Sequence, residues 1–148
     1  MAETAGFSIV LDGIDGPEED KAIICLSFEH GATQNISLTN DDISGTGHLV
    51  PFTFKHKVDV ATPTIQQFCM QGKAISKASF EYAVNRDGDV VDVLLVDMEG
   101  VHIAKAEVST ILKDPDDPTS AHAVEEVQLV CDRITWTGEG NITKSFPE

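Results

Sequence analysis

The 148-residue chain carries a formal net charge of -15, and its length is most simply that of one domain, residues 1–148, able to bury a real core. The acidic balance argues against partners such as nucleic acid or anionic lipid, because both bind basic surfaces. No apolar run approaches the roughly 20 residues that span a bilayer, and residues 1–20 lack the features of a secretory signal, so we expect neither membrane insertion nor a signal peptide.

The first third of the chain predicts two strands followed by a long polar connection. Alternating apolar residues predict a strand over residues 7–11. Apolar residues on both faces predict a second strand over residues 22–28 that is covered on two sides. Residues 31–48 then form an extended loop, and loops of this length are often functional. We expect this loop to carry assembly contacts through its three apolar residues: Ile36, Leu38 and Ile43.

Residues 50–72 are the stretch around which the rest of the chain is organised. They begin as an alternating strand over residues 50–58 and then change to helical spacing. Thr62 is the expected N-cap, Pro63 the first helical residue and Gly72 the residue that ends the helix. So short a helix needs a larger surface on which to dock. The residues expected to start the helix and dock it are Thr62, Pro63, Ile65, Phe68 and Cys69.

The second half of the chain predicts strands only. These cover residues 78–84, 90–98, 101–112 and 124–136, with a hairpin turn at residues 85–89 and a second tight turn at Glu99-Gly100. In the last strand the apolar parity changes, which predicts a β-bulge of one extra residue near Asp132-Arg133. Residues 138–148 are expected to be a loose tail.

About seven strands with antiparallel connections predict a mainly β fold: an antiparallel β-barrel or sandwich with one short α-helix packed on its side.

Candidate sites of chemistry are weak. The five histidines show no metal-ligand pairing, and His56 shares the apolar parity of its strand, which favours a satisfied core or interface side chain. The three cysteines are widely spaced, which favours free thiols over disulfides. The acidic stretch 114–118 is more typical of a solvated turn than of a calcium loop. We therefore expect no catalytic residue, no cofactor and no metal.

Five stretches resemble the haemolysin-coregulated protein (Hcp) family, the tube subunits of bacterial type VI secretion systems. The resemblance lies in their order and spacing along most of the chain. They are FSIVLDGIDG (7–16), LSFEHG (26–31), FTFKHKVDVATP (52–63), FCMQGK (68–73) and VQLVCDRITW (127–136).

The resemblance implies a structural subunit that forms hexameric rings, which stack into a hollow tube. A contractile sheath ejects such a tube together with a spike protein, and small effector proteins can travel in its lumen. It implies assembly in the bacterial cytoplasm followed by secretion, and contact between the 31–48 loop and the next ring. Two alternatives stay open at this point: a tail-tube protein of a contractile phage or phage-like particle, and a monomeric ligand-binding β-barrel or enzyme.

Overall fold

The computed structural model describes residues 5–34, 47–112 and 114–147. Within these ranges the chain forms nine strands and one α-helix, with two short 3₁₀ turns. The elements in chain order are β1 (Gly6–Leu11), β2 (Ile23–Cys25), β3 (Ser27–Thr33), β4 (His48–Lys57), α1 (Thr62–Gln71), β5 (Ile75–Arg86), β6 (Asp89–Leu112), β7 (Ala121–Val130), β8 (Arg133–Gly138) and β9 (Thr143–Phe146). The prediction of a mainly β fold with one short helix is confirmed.

The strands form one antiparallel sheet with the order β2-β1-β5-β6-β7-β4-β3, while β8 pairs with β6 and β9 pairs with β8. The two ends of this order, β2 and β3, are consecutive in the chain and are separated only by Leu26. The Leu26 amide donates to the Lys55 carbonyl at 2.7 Å, and no ladder joins β2 to β3 within the described ranges. The sheet therefore curls into a barrel-like sandwich whose ladder stays open at one point.

The core lies between the two curled halves of the sheet. Phe28 of β3 shows this best, since its ring lies 5.2 Å from that of Phe7 on β1 and 4.6 Å from that of Phe80 on β5. The predicted hairpin at residues 85–89 is confirmed, with both Asp87 and Gly88 at positive φ.

The predicted tight turn at Glu99-Gly100 is wrong, because β6 continues through it as a single strand of 24 residues. Gly100 instead bends the strand: the buried positions change parity there, from Val96 and Met98 to Val101 and Ile103. Gly100 has φ 62°, and a Cβ there would lie 2.3 Å from Asp132 Oδ2, so a larger residue would strain the backbone and displace the Asp132 carboxylate.

The predicted strand 124–136 is two strands, β7 and β8, which pair with β6 on either side of this bend. The predicted one-residue bulge near Asp132-Arg133 is replaced by a break of two residues, Cys131 and Asp132, between β7 and β8, and the Asp132 amide donates to the Glu99 carbonyl at 3.0 Å. The change of apolar parity between Cys131 and Ile134 thus marks the place where the chain passes from β7 to β8, beside the bend of β6 at Gly100.

Three further expectations are corrected. The predicted strand 22–28 divides at Leu26, and it is not covered on both sides, since Ile24 and Leu26 are about half exposed. Residues 31–33 of the predicted loop belong to β3 and pair with residues 48–50. Residues 143–146 of the predicted loose tail form β9.

Candidate assembly surfaces

Helix α1 begins one residue earlier than its sequence predicts. The N-cap is Ala61, which makes no side-chain cap bond, so the prediction of Thr62 as N-cap is wrong and Pro63 lies one position inside the helix. The preceding turn is closed from Asp59: its carboxylate accepts from the Ala61 amide at 2.8 Å, while its own amide donates to Thr62 Oγ1 at 3.2 Å. Asp59 therefore takes the role that an N-cap side chain would have.

The helix ends at Gly72, as predicted, in the left-handed conformation with φ 61°. The Gly72 amide donates to the Cys69 carbonyl and the Lys73 amide to the Phe68 carbonyl, which is the Schellman pattern. Lys73 also places its ammonium 4.6 Å from the centroid of the Phe68 ring. This end of the helix is fixed by backbone conformation and by an aromatic contact.

The apolar side of α1 faces the sheet. Ile65 is fully buried, Phe68 is 6% exposed, and Cys69 is partly buried beside them. The Phe68 ring lies against the turn after β1, where a Cβ on Gly13 would be 3.9 Å from its Cζ. The helix thus covers strand β6 and the β1 turn together.

A buried polar cluster ties the same helix to β4, β6 and β7. His56 Nε2 lies 2.7 Å from Glu125 Oε1, and both side chains are fully buried. Gln66 of α1 donates to Glu125 Oε2 at 2.7 Å and to the Ala106 carbonyl at 3.2 Å. The other ring nitrogen, His56 Nδ1, lies 3.1 Å from Asp59 Oδ2. We call these four residues the helix clasp: His56, Asp59, Gln66 and Glu125.

The helix clasp favours a charged imidazolium. Burial lowers the pKa of His56, but the hydrogen bond to Glu125 and the charges of Asp59 and Glu125 outweigh it and leave the pKa raised above its usual value. Both ring nitrogens then donate to a carboxylate oxygen, so neither nitrogen of the buried His56 ring lacks a partner.

Beyond the helix clasp, the β6–β7 hairpin presents an apolar surface. Val108 pairs with Glu125 across the strands and so shares its face, but it is 48% exposed. Leu112, on the same face of β6, is 47% exposed. Core-facing apolar side chains therefore continue along the hairpin to a region where the described chain leaves them uncovered.

Three strands offer unpaired edges. Among the described residues β2 pairs only with β1, β3 only with β4, and β9 only with β8. Such edges bind other strands readily unless something blunts them.

The predicted assembly residues Ile36, Leu38 and Ile43 lie outside the described residues. Sequence analysis missed Gln66 and Glu125. Glu125 shares its parity with Val127 and Leu129, so a charged residue within an apolar row was the signal that it faces inward and needs a partner.

A model of the family "Type VI secretion system effector, Hcp" matches residues 9–137. This match covers most of the chain, including the bend at Gly100 and the helix.

The chain belongs to the Hcp family.

Solved Hcp structures share its fold at low sequence identity. One described as "Crystal structure of Hcp protein" has a TM-score of 0.83 at 12% identity, covering 96% of each chain. A double mutant of Hcp1 from E. coli EAEC 042 has a TM-score of 0.75 at 23% identity, covering 96% of this chain and 97% of the other. A type VI secretion system effector from Yersinia pestis has a TM-score of 0.71 at 19% identity, covering 95% and 98%. No curated protein sequence matches the chain.

Membership of the Hcp family supports the predicted role as a tube subunit of type VI secretion. Hcp is a family of structural, secreted proteins and not an enzyme class. Within the described ranges, no helix has the length and apolar character that crossing a membrane requires.

Proposed function

We propose that the chain assembles into hexameric rings that stack as the inner tube of a type VI secretion system. The observation that carries the proposal is the family match over residues 9–137. The unpaired edges and the apolar hairpin surface support it, since a closed cyclic ring covers such surfaces with copies of the same chain.

The contact between neighbouring subunits that we propose uses the apolar face of the β6–β7 hairpin. Leu112 lies on that face, whereas Ile111 lies on the opposite face of the same strand and is equally exposed. A carboxylate at residue 112 would be desolvated against the neighbour, but one at residue 111 would stay in water.

Sedimentation of Leu112→Asp and its matched control Ile111→Asp tests this contact. The parent protein and Ile111→Asp are expected to sediment as a ring of 16.0 kDa subunits, and Leu112→Asp as a smaller species that is still folded. If both variants form rings, the proposed hairpin contact is wrong, but the proposal of a ring still stands. A strict monomer in the parent protein at every salt concentration would contradict the ring itself.

The remaining partners that we propose follow the family: the spike, the contractile sheath and small effectors in the lumen, with assembly in the cytoplasm before secretion. We assign the contact between rings to the segment 34–47, which connects β3 to β4, and to its apolar residues Ile36, Leu38 and Ile43. Replacing Gln34 to Thr46 with a short Gly-Ser linker is expected to leave rings that no longer stack into tubes by electron microscopy. Normal tubes and normal secretion from that variant would contradict the assignment.

A further inference from the structure

His30 makes two hydrogen bonds, and each has a fixed direction. Its Nδ1 lies 3.0 Å from the Val50 carbonyl oxygen, which can only accept. The indole Nε1 of Trp136, which can only donate, lies 3.2 Å from His30 Nε2. The ring is therefore neutral, with its proton on Nδ1 and a lone pair on Nε2. A second proton would set two N–H groups against each other and break the bond to Trp136.

This hydrogen bond connects β3 and β8, two strands that no ladder pairs directly within the described ranges. His30 is on β3, which pairs only with β4, and Trp136 is on β8, which pairs with β6 and β9 in the described chain. The centroids of the two rings are 6.2 Å apart and their planes are inclined by 26°, and the centroid of the His30 ring also lies 5.6 Å from that of Phe52. One side-chain contact thus fastens the β3–β4 hairpin to β8.

Among the described residues, the groups that contact His30 carry no negative charge that would stabilise a second proton on its ring. From β4 it meets the Val50 carbonyl and the Phe52 ring, and from β8 the Trp136 indole. Lys144 of β9, the register partner of Trp136, is exposed and brings no negative charge. Glu29, beside His30 on β3, is exposed and alternates to the other face of the strand. Burial lowers the pKa of His30, and the Val50 carbonyl only partly offsets it.

We propose that protonation of His30 at mildly acidic pH breaks its bond to Trp136 and releases the β3–β4 hairpin from β8. The release loosens residues 31–33 and 48–50, which flank the segment 35–46. The bond between His30 and Trp136 lies within one chain, so its protonation does not require ring assembly.

Fluorescence gives a direct test, because Trp136 is the one tryptophan in the sequence. Its emission is expected to change in a one-proton titration whose midpoint lies below the ordinary histidine value of 6.5. His30→Gln keeps an oxygen that can accept from Trp136 but cannot titrate, so its emission should stay constant over this range. His102→Gln removes an exposed histidine of β6 as the matched control, and it should titrate like the parent protein.

Hydrogen exchange completes the test, with faster exchange of residues 31–33 and 48–50 expected at the acid end in the parent protein but not in His30→Gln. A flat emission curve in the parent, or a titration that persists in His30→Gln, would overturn the proposal. If His30→Gln does not fold, ¹⁵N spectra of the parent decide: the Nδ1–H tautomer at neutral pH supports the proposal, and the Nε2–H tautomer overturns it.

Discussion

Two histidines lie at opposite ends of strand β4: His30 of β3 contacts its first residues, and His56 is one of its last. Their hydrogen-bond partners favour opposite charge states. Near the start of the strand, His30 binds the Val50 carbonyl and the Trp136 indole. Six residues further on, roughly 20 Å along a strand, His56 lies between two carboxylates. The partners of His30 favour a neutral imidazole, whereas those of His56 favour an imidazolium.

The comparison shows that partners, and not burial alone, decide the charge of a histidine. His56 is fully buried, yet its pKa is raised, because Glu125 and Asp59 outweigh the effect of burial. Burial lowers the pKa of His30 although the ring is only half-buried, because its partners, a carbonyl and an N–H donor, bring no negative charge to offset the burial. Acid is therefore expected to loosen the β3–β4 hairpin while the helix clasp stays closed.

The largest expected effect comes from removing the carboxylate of the helix clasp. Glu125→Ala leaves His56 buried without its partner and deprives Gln66 of an acceptor, so we expect a loss of about 3–5 kcal/mol in the free energy of unfolding. The matched control is Glu126→Ala, whose partly exposed pair with Lys105 should contribute no more than about 1 kcal/mol. Urea unfolding at neutral pH and fixed protein concentration measures both. Equal losses in the two variants would mean that the clasp does not hold the fold.

The apolar contact of the helix should matter almost as much. Phe68→Ala opens a cavity between α1 and the turn after β1, and we expect a loss of about 3 kcal/mol in the free energy of unfolding. Met70→Ala on the same helix removes a side chain that is 87% exposed and should change it by less than about 0.5 kcal/mol. A loss under about 1 kcal/mol in Phe68→Ala would show that the clasp alone positions the helix.

The pH dependence of stability should have opposite signs at the two histidines. Because its pKa is raised in the folded state, His56 contributes to the free energy of unfolding. This contribution is complete below the pKa that His56 has in the unfolded chain, and it is lost as pH rises through the pKa of the folded state. The lowered pKa of His30 has the opposite effect on the pH dependence of the free energy of unfolding. Its contribution is complete above the pKa that His30 has in the unfolded chain, and it is lost as pH falls through the pKa of the folded state. Each slope is at most about 1.4 kcal/mol per pH unit for one proton.

Urea unfolding at several pH values, with His56→Gln and His30→Gln as the paired variants, checks this prediction. In a plot of the free energy of unfolding against pH, His56→Gln should reduce the slope only on the alkaline side. His30→Gln should reduce it only on the acid side. The reverse assignment would contradict the comparison.

The smallest effect concerns a thiol near the helix clasp. Burial, with the charge of Asp59, raises the pKa of Cys25 to about 12, so this cysteine should resist alkylation in the folded protein. Cys131 is partly buried, and burial raises its pKa as well. Mass spectrometry after timed alkylation should show modification of Cys131 well before Cys25. Simultaneous modification would indicate that the end of the sheet at the clasp opens often.

The sequence predicted features that depend on neighbouring residues. The end of the helix at Gly72 and the Asp87-Gly88 hairpin follow from local backbone preferences, so both were correct. Glu99-Gly100 also looks like a tight turn in the local sequence. Its conformation depends on Asp132, 32 positions after Gly100, whose backbone amide donates to the Glu99 carbonyl.

The helix clasp and the His30 contact escaped sequence analysis for the same reason. Glu125 lies 69 residues from His56, and Trp136 lies 106 residues from His30. Alternation indicated that His56 faces inward, but no local pattern tells which side chain meets it. The sheet order decides those partners, and that order became visible only with the structure.

NMR of ¹³C,¹⁵N-labelled histidine rings can titrate both histidines in one sample. We expect His56 to keep its proton to a pH above 6.5 and His30 to stay neutral to a pH below 6.5, with the His30 proton on Nδ1. A single shared midpoint, or His30 protonating before His56 as pH falls, would contradict this expectation.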